Sequence, residues 1–131
     1  MSSAINRVAI VAAVALVISG TVHLMEAPDT MGDAAYLGLS FVAHFAVTMI
    51  AAIGILMGSR AAWGLGAIVS AASIGMYVIS RTVGLPGQSG EQWAEWAGII
   101  AVGSEFVALG ATLLGLRLTR GTDRSGVAVT A

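Results

Sequence analysis

Cysteine is absent from this sequence and charge is scarce: Lys+Arg number 6 and Asp+Glu 7, so only 10% of its 131 residues are charged. Without cysteine there is no disulfide framework, no thiolate metal site and no thiol nucleophile. A soluble domain usually carries about 25% charged residues. The charge present is too little to cover the water-facing surface of a 13.2 kDa body. Disorder is excluded as well, because disordered chains are poor in apolar residues, whereas 57% of this chain is hydrophobic. A formal net charge of −1 gives no reason to expect nucleic acid as a partner. No G-x-G-x-x-G, Walker loop, zinc motif or nucleophile elbow occurs, and nothing assembles a hydrolase. The sequence therefore gives no basis for an enzyme. What it does have is apolar length, with a mean hydropathy of +0.91, and lipid is the solvent that suits it.

A membrane helix needs roughly 20 mostly apolar residues to cross about 30 Å of hydrocarbon. Four segments qualify: about Ile5–Leu24, Tyr36–Met57, Ala61–Ser80 and Ala94–Leu118. The expectation is an all-α integral membrane four-helix bundle forming a single transmembrane domain over 1–131. The first run is too long for a signal-peptide core and is read as a retained span. Met25–Asp33, with Pro28, Gly32 and three acids, reads as an aqueous loop, in which Thr30 and Asp33 are candidate caps for the second helix. Gly58-Ser59-Arg60 reads as a tight turn. Thr82–Gly90 is a Gly/Pro loop closing on Ser89-Gly90-Glu91-Gln92, whose S-x-x-Q spacing is that of a capping box and starts the fourth helix near Gly90. Thr119–Ala131 reads as a short polar tail.

Orientation follows from the arginines, since short loops rich in basic residues stay cytoplasmic. Arg7, Arg60, Arg117, Arg120 and Arg124 fall on one side of a four-span layout and Arg81 on the other. Both termini are then cytoplasmic, in the plasma membrane. The outer side receives Glu26, Asp29, Asp33, Glu91 and Glu95, with Tyr36, Trp93 and Trp96 at the same boundary, where amphipathic rings settle.

Each span carries one polar stripe at helical spacing: Ser19, His23 and Glu26; Ser40, His44 and Thr48; Ser70, Ser73, Tyr77 and Arg81; Gly98, Glu105 and Thr112. Helices in lipid turn such stripes toward their neighbours, which predicts a polar pocket open to the outside. The small-xxx-small runs Gly54/Gly58, Ala67/Ala71/Gly75 and Ala111/Gly115, in a chain with 17 glycines, need no chemistry. They join helices within the bundle or to another copy.

Glu105 is the most informative residue. It lies roughly 16 Å into the fourth span at 1.5 Å per residue, where an ionisable group costs a few kcal/mol and is functional by default. The readings open to it are proton relay, ion site, ligand anchor, or a hydrogen bond across helices to Ser70, Ser73 or Thr48. His44 is a candidate metal or haem ligand, a proton-transfer group or a partner of Glu105, set against a plain packed helix linker. His23 is placed at the outer rim. Bis-His haem on His23 and His44 meets the objection that the two are expected several turns apart in depth. A copper set would add Met25, Met31 and Met49. Arg81 is a candidate clamp for an anion, a partner of Glu95, Glu91 or Glu26, or a snorkelling side chain, unless Glu105 or Tyr77 touches it.

The segment Tyr77-Val78-Ile79-Ser80-Arg81-Thr82-Val83-Gly84-Leu85-Pro86-Gly87, followed by Trp93, Trp96, Gly98 and Glu105, carries a likeness. Together with His23, the acidic Pro-containing loop and His44, it resembles a loose group of small four-helix membrane proteins of bacteria and archaea. The Ser-Arg-Thr-Val-Gly-Leu-Pro hairpin is the specific part, and the likeness spans most of the chain. The resemblance implies the four-span topology and singles out Arg81, Pro86 and Glu105. The group has no settled activity, so no substrate and no cofactor follow from it.

Three functions fit these residues. The first is a non-enzymatic accessory subunit packing against other membrane subunits or a second copy. The second is a membrane binding module for a quinone, lipid, haem or metal, walled by His23, His44, Tyr77, Arg81, Trp96 and Glu105. The third is a small transporter or proton channel using Glu105.

Overall fold

In a computed structural model the chain forms helices α1 (Ser3–Asp33), α2 (Ala35–Leu56), α3 (Arg60–Thr82) and α4 (Trp96–Val129). Residues 3–88 and 95–129 are described, with side chains as far as Gly121. All four helices are long and apolar enough to cross a membrane, and no strand occurs among the described residues. Each run of roughly 20 apolar residues forms one helix, the structure that satisfies every backbone polar group within its own segment and so is compatible with lipid.

The helices run up and down around a square. α1 packs along α2 and α4, α3 packs along α4 and α2, and α1 barely meets α3 across the diagonal. One end of the bundle carries Arg7, the α2–α3 turn with Arg60, and Arg117; we call it the Arg60 end. The other carries the α1–α2 connection and the start of the α3–α4 connection, and is called here the Pro86 end.

Two elements differ from the sequence reading. Met25–Asp33 is not a loop: α1 continues through it with Pro28 inside the helix, and a single non-helical residue, Ala34, joins α1 to α2. Gly38 makes this possible, because a Cβ there would collide with Met31 and the last turns of α1 lie directly against α2. Pro28 is exposed, and its ring faces away from the bundle. The N-cap of α2 is Ala34 and makes no side-chain cap bond, so Thr30 and Asp33 do not cap it. At the far end, α4 runs on to Val129, so most of Thr119–Ala131 is helical backbone rather than a separate tail. The Ser89–Gln92 capping box lies outside the described residues. Among those described, α4 begins at Trp96, with the Ile99 amide donating to the Glu95 carbonyl at 2.9 Å.

The remaining connections are turns with defined chemistry. After α2, Gly58 takes φ +82°, and the Ser59 amide closes on the Gly54 carbonyl at 2.8 Å, which satisfies an otherwise orphaned helix-end acceptor. After α3, Leu85-Pro86-Gly87-Gln88 forms a tight turn with Gly87 at φ +82° and the Gln88 amide 3.0 Å from the Leu85 carbonyl. Pro then Gly at the two central positions is the preference of a type II turn. Tyr36 pins this turn to the start of α2 by donating its hydroxyl to the Pro86 carbonyl at 2.7 Å.

Along its axis the bundle divides in two. The half toward the Arg60 end is a dense apolar plug of Ala9, Ala12, Ala13, Leu16, Ala51, Ala52, Ile55, Ala62, Trp63 and Ala108. Alanine and glycine let the backbones approach, as membrane helices need when no water drives them together. Gly54 faces the Ala62 side chain, and Gly115 lies flat against the indole of Trp63. Gly58, by contrast, serves the turn, and Gly75 has open space where its side chain would be, so these two members of small-residue runs pack nothing within the chain. The half toward the Pro86 end is polar inside and open.

Candidate functional site

The open half holds a cavity of about 280 Å³ that extends from the Pro86 turn down to Glu105. All four polar stripes contribute to it: His23 and Glu26 from α1, Ser40 and His44 from α2, Ser73, Tyr77 and Arg81 from α3, Gly98 and Glu105 from α4. The period of the helix is the reason: residues three, four or seven apart stand on one face.

Glu105 forms the floor. Its side chain is fully buried, at 1% exposure, and Oε1 accepts hydrogen bonds from Ser19 Oγ at 3.0 Å and Ser73 Oγ at 2.5 Å. The Nε2 atoms of His23 and His44 stand 3.7 and 3.8 Å from the same oxygen. Ser73 is the partner foreseen in the sequence, and Ser19 is not. Its signal was present all the same, since Ser19 stands one turn from His23 on the polar stripe of α1. Ser70, a second foreseen partner, is buried with no hydrogen-bond partner among the described residues. Thr48 and Thr112 donate to carbonyls of their own helices, His44 and Phe45 for the first, Ala108 and Leu109 for the second.

The two imidazoles stack, with ring centroids 4.0 Å apart and planes inclined at 30°. They are therefore at one depth, not several turns apart. The error in depth came from ending the first span at Leu24: with α1 running to Asp33, His23 lies well inside the helix rather than at its rim. Phe41 meets His23 edge-on at 4.8 Å and closes the other side of the pair. The His23 tautomer is fixed by the backbone. Nδ1 is 2.9 Å from the Ser19 carbonyl, which can only accept, so Nδ1 carries the hydrogen and Nε2 presents a lone pair to Glu105.

The mouth is built around Arg81. Its guanidinium lies over the Tyr77 ring at 4.5 Å, donates from Nη1 to Ser80 Oγ at 2.9 Å, and has Nη2 3.6 Å from Glu95 Oε2. The stack on Tyr77 makes it part of the pocket wall rather than a side chain snorkelling to the surface. Gly98 provides the room, since a Cβ there would stand 3.0 Å from Tyr77 and 3.1 Å from Arg81.

Of the six residues expected to line the pocket, five do so, and Trp96 does not. Trp96 is 78% exposed, because it stands two positions before Gly98 and a helix turns about 200° over that step. The thioether set also fails to assemble: Met25 is 71% exposed, Met31 packs against Gly38, and the Met49 methyl points at Gly20. Haem is poorly served, because rings stacked face to face cannot approach a macrocycle from opposite sides.

Comparison of the chain with protein-family models, with curated proteins and with solved structures returned no match.

Proposed function

We propose that this protein is a multi-pass plasma-membrane binding module, with both termini in the cytoplasm and a pocket that admits a small polar ligand from the outside. The observation that carries this reading is the convergence of His23, His44 and Glu105, from three helices, at the closed end of an open cavity. Ionisable groups are costly in a membrane and, when they occur, face the bundle interior or a water-filled cavity; here they face a cavity. A helix-packing subunit has no need of three at one point. Ligand pockets usually measure about 300–1,000 Å³, so a cavity of about 280 Å³ fits a small ligand or an ion with its water. The arginine distribution supports the orientation.

The plug argues against a pore. Beyond Glu105 toward the Arg60 end, Leu16, Ala51, Ile55, Trp63 and Ala108 are fully buried. The Thr48 and Thr112 hydroxyls are engaged on their own helices, and Ser70 Oγ and Trp63 Nε1 have no hydrogen-bond partner among the described residues. Among the described residues no relay of donors and acceptors leaves the floor on that side.

The absence of native cysteine makes the test simple, because any introduced thiol is the only one present. Ala101 lines the pocket and Ala108 lies two turns further along the same face, in the plug. In intact cells a membrane-impermeant maleimide should label Ala101→Cys and leave Ala108→Cys unmodified. Equal labelling of the two would establish a through-path, and labelling of Ala101→Cys only in inverted vesicles would reverse the orientation.

A further inference from the structure

We infer that the pocket floor is a binding site for a divalent first-row transition-metal ion of the zinc type, ligated by His23 Nε2, His44 Nε2 and a carboxylate oxygen of Glu105. This deepens the binding-module reading and rests on it. The ligand atoms of these three residues lie within 4.8 Å of one another. Donors around a tetrahedral ion with bonds near 2.0–2.1 Å are separated by about 3.4 Å. Small side-chain rotations therefore suffice to close the set.

Two features beyond proximity point to a cation. First, Nδ1 of His23 is tied to the Ser19 carbonyl at 2.9 Å. That is how metal-binding histidines are commonly oriented: the second ring nitrogen donates to a carbonyl, and the ligating nitrogen is left deprotonated and aimed. Second, the lone pair of His23 Nε2 faces Glu105 Oε1 at 3.7 Å, and the Ser73 hydroxyl beside them gives its one hydrogen to the carboxylate. Two acceptors facing across that gap repel unless a proton or a metal ion stands between them. His44 Nε2 is 3.0 Å from Ser19 Oγ, whose one hydrogen goes to Glu105, so without the ion His44 Nε2 donates to Ser19. To ligate, His44 moves that hydrogen to Nδ1 and gives up this bond, while the Ser19 and Ser73 hydroxyls continue to hold Glu105.

The donor chemistry narrows the ion. Two imidazoles and a carboxylate, with no thiolate and no converging thioether, suit zinc or iron(II) rather than copper(I), and are too rich in nitrogen for calcium or magnesium. Three protein ligands leave at least one coordination position for water or a small ligand, and that position faces the cavity. Access is from the mouth, where Glu26 and Glu95 line the wall.

The test uses full-length protein in mild detergent, purified on a tag free of histidine, and titrated with Zn²⁺ and with Co²⁺ as a visible reporter. We expect one equivalent bound, a Co²⁺ ligand-field band, and loss of affinity in His23→Ala, His44→Ala and Glu105→Gln. Each loss should exceed the ~10–100-fold that a supporting hydrogen bond is worth. Glu105→Asp, which keeps the carboxylate, should bind more weakly but retain the band, so that loss of fold is told apart from loss of ligand. Stoichiometric binding that survives all three substitutions would place the ion elsewhere and overturn the assignment. So would the absence of binding in a protein whose Ala101→Cys variant still labels from the outside, and in that case the pocket reading stands. If Ala101→Cys also fails to label, both readings fall.

Discussion

The plug makes a prediction in which one substitution changes sign with its background. Gly115 lies flat on the Trp63 indole, and a Cβ at residue 115 would overlap several ring atoms. Trp63 is fully buried, so the ring has nowhere to move. Overpacking of this kind costs about 1–3 kcal/mol. Against it stands the gain in helix propensity from Gly to Ala, about 1 kcal/mol. Gly115→Ala in the native background should therefore be neutral to destabilising by up to about 2 kcal/mol. Trp63→Ala alone should cost about 3–5 kcal/mol, the usual price of emptying a buried aromatic site. In the double variant the added methyl enters the vacated space, the overlap disappears and the propensity gain remains. Gly115→Ala should then stabilise the Trp63→Ala protein by about 1 kcal/mol, a coupling of about 1–3 kcal/mol between the two positions. Equilibrium unfolding by SDS titration in mixed micelles, followed by far-ultraviolet circular dichroism, reads all four corners of the cycle. An effect of Gly115→Ala that is equal in sign and size with and without Trp63 would refute the packing described for the plug.

Three more outcomes follow from the site. Ser19→Ala removes a hydroxyl that donates to Glu105 and bonds His44 but keeps the backbone carbonyl that orients His23. Metal affinity by chelator competition should fall about 10–100-fold without disappearing. Binding should weaken as pH falls, because protons compete for both imidazoles and the carboxylate; affinity that rises on acidification would contradict the ligand set. Gly98→Val crowds Tyr77 and Arg81 at the mouth while leaving the floor intact, so stopped-flow Co²⁺ uptake should slow with little change in final occupancy.

The four helices and the burial of Glu105 were legible because apolar length and helical periodicity are properties of the chain alone. The convergence of Ser73, His44 and Glu105 was legible for the same reason, as three stripes each turned inward. The stacking of His23 on His44 was not. It depends on α1 continuing past Pro28, which a sequence reading takes as a break. The continuation is decided by packing of Met31 over Gly38 on a different helix. Trp96 was misplaced for a simpler reason: an aromatic ring near a polar stripe looks like a pocket wall until the start of α4 fixes which way it faces. Whether Arg81 snorkels or lines the cavity was likewise settled only by the guanidinium lying over Tyr77.

Glu105 also sets an order of events. The carboxylate that ties the polar stripes together sits on α4, while Ser19, His23, His44 and Ser73 sit on the three helices made before it. Until α4 arrives, those polar side chains have no common acceptor, and until they are in place the Glu105 carboxylate has no partners. The first three helices thus form an unfinished receptacle, and insertion of the fourth is the step that latches it. A chain cut between α3 and α4 would lose the latch rather than merely a quarter of its packing.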